Sequence, residues 1–145
     1  MRSERGAELI EFALIFPLLL LVMLGIVDFG LMFQRYEVLT NATREGARLA
    51  VLPGYSTNDV KARVCAYLTT GGVPTTACNN PTNPTINVTD VTVAVAGGTA
   101  VSAKRVHLTY THNYMFVGPI IALMGGSFNS NLPINTVAVM RKEVP

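Results

Sequence analysis

Hydrophobic and polar positions alternate differently in three successive stretches of the chain. The first, Leu9 to Phe33, is apolar on every face, with Glu11 and Asp28 as its only ionisable groups and 16 uncharged, mostly aliphatic residues between them. As one α-helix its 25 residues span roughly 37 Å at ~1.5 Å per residue, enough to cross a hydrocarbon core of ~30 Å. Phe12 to Val27 alone has the length of a cleaved secretory segment. Apolar character resumes, however, with Phe29, Leu31, Met32 and Phe33, and no small-x-small cleavage site follows. A retained single-pass helix is the better reading.

The second stretch stays helical but becomes one-sided. Leu39, Ala42, Gly46 and Leu49 recur at helical spacing, and Pro53-Gly54 predicts the stop after Leu52. Ala42, Gly46 and Ala50 repeat every four residues, a spacing that lets another backbone approach closely. Two uses of that stripe stand side by side: packing on the protein's own sheet, and contact with neighbouring subunits. A short helix over Asp59 to about Leu68 follows, capped by Asn58 or Thr57 and ended by Gly71-Gly72.

After a Pro/Thr/Asn-rich loop from Val73 to Pro84, the period changes to two. Val91, Val93 and Val95, then Val106, Leu108 and Tyr110, then Val137 and Val139 read as strands. Val88 and Val91 are out of phase, which predicts a bulge near Thr89-Asp90. Tyr114 to Met124 is apolar but interrupted by Gly118-Pro119 and closed by Gly125-Gly126. It is too short and broken for a second span and reads as a hydrophobic connection or one helical turn. The predicted fold class is α+β: a long N-terminal transmembrane helix whose C-terminal half packs on a small antiparallel sheet of about three strands.

Composition agrees with one small domain carrying a membrane helix. Charged residues make up 14% of the chain, against ~25% in an average soluble domain. A net charge of +2 with scattered Lys and Arg does not make a nucleic-acid footprint. Orientation is not settled by the positive-inside count, because Arg2 and Arg5 precede the span while Arg35, Arg44 and Arg48 follow it.

The densest chemical signal is Gly6-Ala7-Glu8-Leu9-Ile10-Glu11-Phe12. A glycine stands between a short charged leader and an apolar helix, with a glutamate five residues later. An ionised carboxylate in a spanning helix costs ~2.5–3.5 kcal/mol on insertion scales, so its presence calls for a reason. Cleavage between Gly6 and Ala7 would create an α-amino group one helical turn from Glu11, available to pair with that carboxylate between packed subunits. The alternative places Glu11 in the headgroup layer.

This arrangement resembles the processing site of type IV prepilins in their Flp/Tad form. The run from Arg5 to Gly30 (RGAELIEFALIFPLLLLVMLGIVDFG), continued by Leu39 to Arg48 (LTNATREGAR), resembles the N-terminal region of TadE-like proteins over about residues 5–50. The resemblance implies a type IV pilin-like fold and three segments: a leader, 1–6; a long helix, 7–52, with its membrane segment at about 9–33; and an extracytoplasmic α+β domain, 53–145. It further implies a minor pilin or pseudopilin acting in pilus assembly, adhesion and biofilm formation. Its partners would be a prepilin peptidase, other pilin subunits, the inner-membrane assembly machinery and the membrane itself. Gly6 and Ala7 would flank the cut, and Glu11 and Phe12 would serve processing and assembly. The expected location is the inner membrane, single-pass, with the C-terminal domain outside the cytoplasm and the subunit available to a surface pilus. The rival reading is an unprocessed single-pass envelope protein whose sheet domain is a periplasmic binding module.

Other residues with chemical potential carry weaker expectations. Cys65 and Cys78, the only cysteines, read as one disulfide in a domain outside the cytoplasm, with two free thiols as the alternative. Asp28 reads as solvated or paired with Arg35, with a functional intramembrane carboxylate as the sharper alternative. Pro17 is either a kink or ordinary tolerance of proline in a spanning helix. His107 and His112 fall on opposite faces of a strand without a third ligand, so no metal is expected. No cofactor, catalytic residue or enzyme is expected, since no nucleophile elbow, zinc-helix, P-loop or dinucleotide motif occurs.

Overall fold

The computed structural model describes residues 2–74, 78, 83–94, 97–123, 125–127 and 129–142. Its elements run α1 (Arg2–Ala50), α2 (Thr57–Thr70), β1 (Thr85–Val93), β2 (Val101–Asn113), α3 (Val117–Leu123) and β3 (Asn131–Arg141). A long apolar helix followed by a three-stranded antiparallel sheet is the predicted α+β layout. The strand order is β1-β2-β3, with β2 central.

The chain gathers into two compact units that do not follow chain order. One holds α1 as far as Phe33 together with residues 113–132; the other holds Gln34–His112 and the chain from Pro133 onward.

In the second unit the C-terminal part of α1, α2 and the sheet share one core. Leu39, Ala42 and Ala47 of α1, Val60, Val64 and Leu68 of α2, and Val106 and Leu108 of β2 are all almost completely buried. Gly46 explains how the layers meet. A Cβ at this position would overlap a Val64 methyl and lie 3.6 Å from Val106 and 3.7 Å from Val60. The glycine therefore costs some helix propensity, about 1 kcal/mol relative to Ala, and admits α2 and β2 to the helix surface. Thr43, also buried, bonds back to the Leu39 carbonyl at 2.7 Å and meets the Thr136 hydroxyl at 2.6 Å. That pairing satisfies two hydroxyls inside an otherwise apolar layer.

The second helix is longer than expected at both ends. Its cap is Ser56, not Asn58 or Thr57. The Ser56 hydroxyl accepts from the Asp59 backbone N–H at 3.3 Å, and the Asp59 carboxylate accepts from the Ser56 N–H at 2.8 Å. The acid three residues on selects the serine, because only that spacing closes a capping box. At the other end, the N–H groups of Gly71, Gly72 and Val73 close on the carbonyls of Tyr67, Thr69 and Leu68. Gly72 takes φ +73° there, a backbone region that side chains with a Cβ rarely enter.

The expected bulge is absent. β1 and β2 pair without interruption from Thr85↔Thr109 to Val93↔Val101. The apolar phase slips on both strands at the same place, since Val88 faces Val106 while Val91 faces buried Ala103. A matched slip needs no extra residue. Asn83 extends the pairing past Pro84 with its side-chain amide, which donates to the Thr111 carbonyl at 3.2 Å and accepts from the Thr111 N–H at 2.9 Å. On β3 the core face is Ile134 and Thr136, whereas Val137 (58% exposed) and Val139 (43% exposed) face outward. Val95 of the predicted alternation lies outside the described residues.

Candidate functional site

Gly6, Ala7, Glu11 and Phe12 all lie within α1 and all are exposed. Ala7 and Glu11 are four residues apart, so their side chains share one helix face. A side chain at Gly6 would meet nothing within 4 Å. Phe12 stacks on Phe16, ring centroids 5.3 Å apart. The helix passes through Pro17 as a single element. Along its most apolar window none of the helix is buried, and it is the one helix among the described residues long and apolar enough to cross a membrane.

One residue of the apolar stretch behaves unlike the rest. Among residues 6–33 only Asp28 is buried, at 1% exposure. Its Oδ1 accepts from the Met115 N–H at 3.2 Å, and its Oδ2 accepts from the Phe116 and Val117 N–H groups at 2.8 Å each. The three amides lead into α3, where backbone N–H groups have no intrahelical partners. Neither solvation nor pairing with Arg35 describes this carboxylate. The Arg35 guanidinium instead donates to His112 Nδ1 at 2.8 Å in the other unit. The sequence carried a partial signal, a short apolar segment whose Gly118-Pro119 break marks a helix start needing a cap, but nothing that named Asp28 as its partner.

Cys65 and Cys78 form a disulfide with a Cα–Cα separation of 5.9 Å. The bridge ties α2 to the loop that precedes β1. Ala42, Gly46 and Ala50 are buried within their own unit, Gly46 against α2 and β2. Among the described residues no group of three or more His, Cys, Asp or Glu could hold a metal ion. His112 is buried and His107 only partly so, on opposite faces of β2. An open groove of about 410 Å³ lies between the C-terminal part of α1 and α2, bordered by Glu37, Asn41, Arg63 and Tyr67.

Two exposed carboxylates carry shifted pKa values. The Ser56 hydroxyl, then the Ser56 backbone N–H, hold Asp59 below its usual value. Lys104 first and Lys142 second do the same for Asp90, with Lys104 at 2.8 Å and Lys142 at 2.9 Å. Both are structural fixtures: one closes a helix cap and the other ties the edge strand β1 to lysines of β2 and of the residue following β3.

Comparison with curated proteins and with solved structures gives no match. The family model described as TadE-like protein matches residues 6–48, from the glycine of the charged boundary to the last turns of α1. Over that helix the chain is similar to TadE-like proteins.

Proposed function

We propose that this protein is a minor pilin or pseudopilin of a bacterial Tad or type IV-like pilus, cut between Gly6 and Ala7 by a prepilin peptidase. It then acts in pilus assembly, adhesion and biofilm formation, with no catalytic chemistry of its own. The observation that carries the reading is the Gly6-Ala7 boundary followed by exposed Glu11 and Phe12 at the start of the TadE-like stretch. Cleavage would leave an α-amino group at Ala7 on the same helix face as Glu11. An unpaired carboxylate in the apolar helix costs ~2.5–3.5 kcal/mol. A pair with the amine of an adjacent subunit offsets that cost, and breaking a desolvated pair typically costs ~3–5 kcal/mol. The disulfide supports a domain outside the cytoplasm, where such bridges persist. Its partners are then other pilin subunits and the inner-membrane assembly machinery.

Mass spectrometry of the protein from native envelopes tests the reading. The expected mature N-terminus is Ala7, and Gly6→Leu is expected to accumulate as precursor. Glu11→Ala should be cut, remain in the membrane and fail to co-purify with other pilin subunits. An intact Met1 on the assembled protein would favour the unprocessed envelope protein instead, and normal assembly of Glu11→Ala would remove the pairing role.

A further inference from the structure

The unit formed by α1 up to Phe33 and residues 113–132 carries nearly all its charge before Phe12, at the N-terminal end of α1. From Phe12 to Phe33 its only ionisable acid or base is Asp28, and no Asp, Glu, Lys, Arg or His occurs between Asn113 and Met140. That single carboxylate is buried and saturated by three amides. Its bonds fasten Met115–Val117 to the apolar helix. Tyr114 adds an edge-on ring contact with Phe29, centroids 5.7 Å apart, and its hydroxyl lies 3.4 Å from Met32 Sδ. The Tyr114 N–H donates to the Ser130 carbonyl at 3.0 Å, closing the base of the loop.

The position of this loop along the helix has a physical meaning. Leu9 and Asp28 are nineteen residues apart, roughly 28 Å at ~1.5 Å per residue, close to the ~30 Å hydrocarbon thickness. With Leu9 at one boundary, Asp28 and its loop fall at the other, the depth at which tyrosine and other aromatics collect. Irregular backbone survives near hydrocarbon only when its polar groups are satisfied by the protein, and Asp28 satisfies three consecutive amides there. Meanwhile Met115 (60% exposed), Phe29 (50%) and Phe33 (63%) face outward as one continuation of the exposed apolar helix.

We propose that Tyr114–Ala122 is a lipid-contacting element, seated at the headgroup–acyl boundary of the leaflet at the Asp28 end of the span, with Asp28 as its internal anchor. The occupant is the bilayer itself. A protein partner would be expected to find a polar rim around an apolar centre, whereas no charged side chain lies within Phe29–Phe33 or Tyr114–Ala122. The inference rests on the reading of α1 as a membrane span and not on the pilin assignment.

The chain has no tryptophan, so a single introduced Trp reports its own depth. Full-length Met115→Trp and Leu19→Trp proteins are reconstituted into phosphatidylethanolamine/phosphatidylglycerol vesicles carrying nitroxide-labelled lipid, with the label either near the headgroup or deep in the chain. Leu19→Trp, on an exposed position of the span, should lose most of its emission to the deep label. Met115→Trp should lose most of its emission to the shallow label and little to aqueous iodide, and adding Asp28→Ala should reverse that preference. Quenching of Met115→Trp by iodide, with Leu19→Trp still quenched in depth, would overturn the lipid contact and leave the span standing. Emission shielded from both lipid labels and iodide would assign the surface to another protein copy and equally overturn it. Loss of deep quenching at Leu19→Trp would remove the span reading itself.

Discussion

Residues Gly6–Phe33 and Gln34–Ala50 belong to one uninterrupted helix, yet they bury opposite kinds of side chain. In the first stretch Leu14 (74% exposed), Leu18 (58%) and Met23 (65%) are bare, and the one buried residue is an aspartate. In the second, Leu39, Ala42, Thr43 and Ala47 are at most 1% exposed, while Glu37, Arg44 and Arg48 point out. Backbone geometry is the same in both, so the difference lies in what surrounds each. A helix in water hides a stripe of apolar residues, whereas a helix suited to lipid leaves them outside and hides its polar group. Residues 6–48, the TadE-like segment, include all of the first behaviour and most of the second.

The sharpest way to break that contrast is to make the same substitution in each stretch. Leu39→Ala should destabilise the second unit by about 2–5 kcal/mol, the range for a fully buried leucine in a packed core. Leu18→Ala should leave the same urea transition of the detergent-solubilised protein within about 0.5 kcal/mol of wild type. Equal effects would mean that Leu18 packs inside the protein after all.

A smaller effect is expected from the disulfide, which belongs wholly to the second unit. Replacing Cys65 and Cys78 with serine should lower its stability by roughly 3 kcal/mol, the loop-entropy value for a bridge of this span. Depth quenching at Leu19→Trp should not change. In the unreduced protein, alkylating reagents should leave both cysteines untouched until a reductant is added.

The smallest effect is electrostatic. Asp90 has a folded-state pKa below its usual 3.8 because Lys104 and then Lys142 hold its charged form. Its contribution is therefore present above pH 3.8 and is lost as the pH falls through the lower, folded-state value. Acid titration of the wild type should show a slightly steeper loss of stability below pH 3.8 than Asp90→Asn, followed by circular dichroism. Because the group is exposed and salt-screened, raising the ionic strength should shrink the difference.

Much of this molecule was legible because its signals are local. The apolar run around Leu9–Phe33, the stop after α1, the Gly71-Gly72 terminator and the two cysteines each act through composition or short spacing, which a linear chain carries in full. The glycine–glutamate–phenylalanine boundary is legible for the same reason. The start of the second helix is local as well, since Ser56 and Asp59 satisfy the capping rule, although Thr57 and Asn58 beside them are cap formers too.

Phase and partnership are different. The alternation at Val137 and Val139 establishes a strand but not which face the core occupies, and burial of Ile134 and Thr136 reverses the natural guess. Val88 and Val91 imply a bulge only until the matching slip at Val106 and Ala103 is seen across the ladder. Asp28 is separated from Met115 by 87 positions, and no spacing rule reaches that far. The sequence alone determined that this protein is a long apolar helix followed by a small α+β region with two cysteines, and that a glycine and a glutamate mark the helix's charged boundary. Only the tertiary structure decided which sheet face is the core, what fills the gap at Gly46, and that the aspartate of the apolar helix holds three amides of a distant loop. Those outcomes depend on contacts between residues far apart in sequence, whose geometry exists only once the chain has folded.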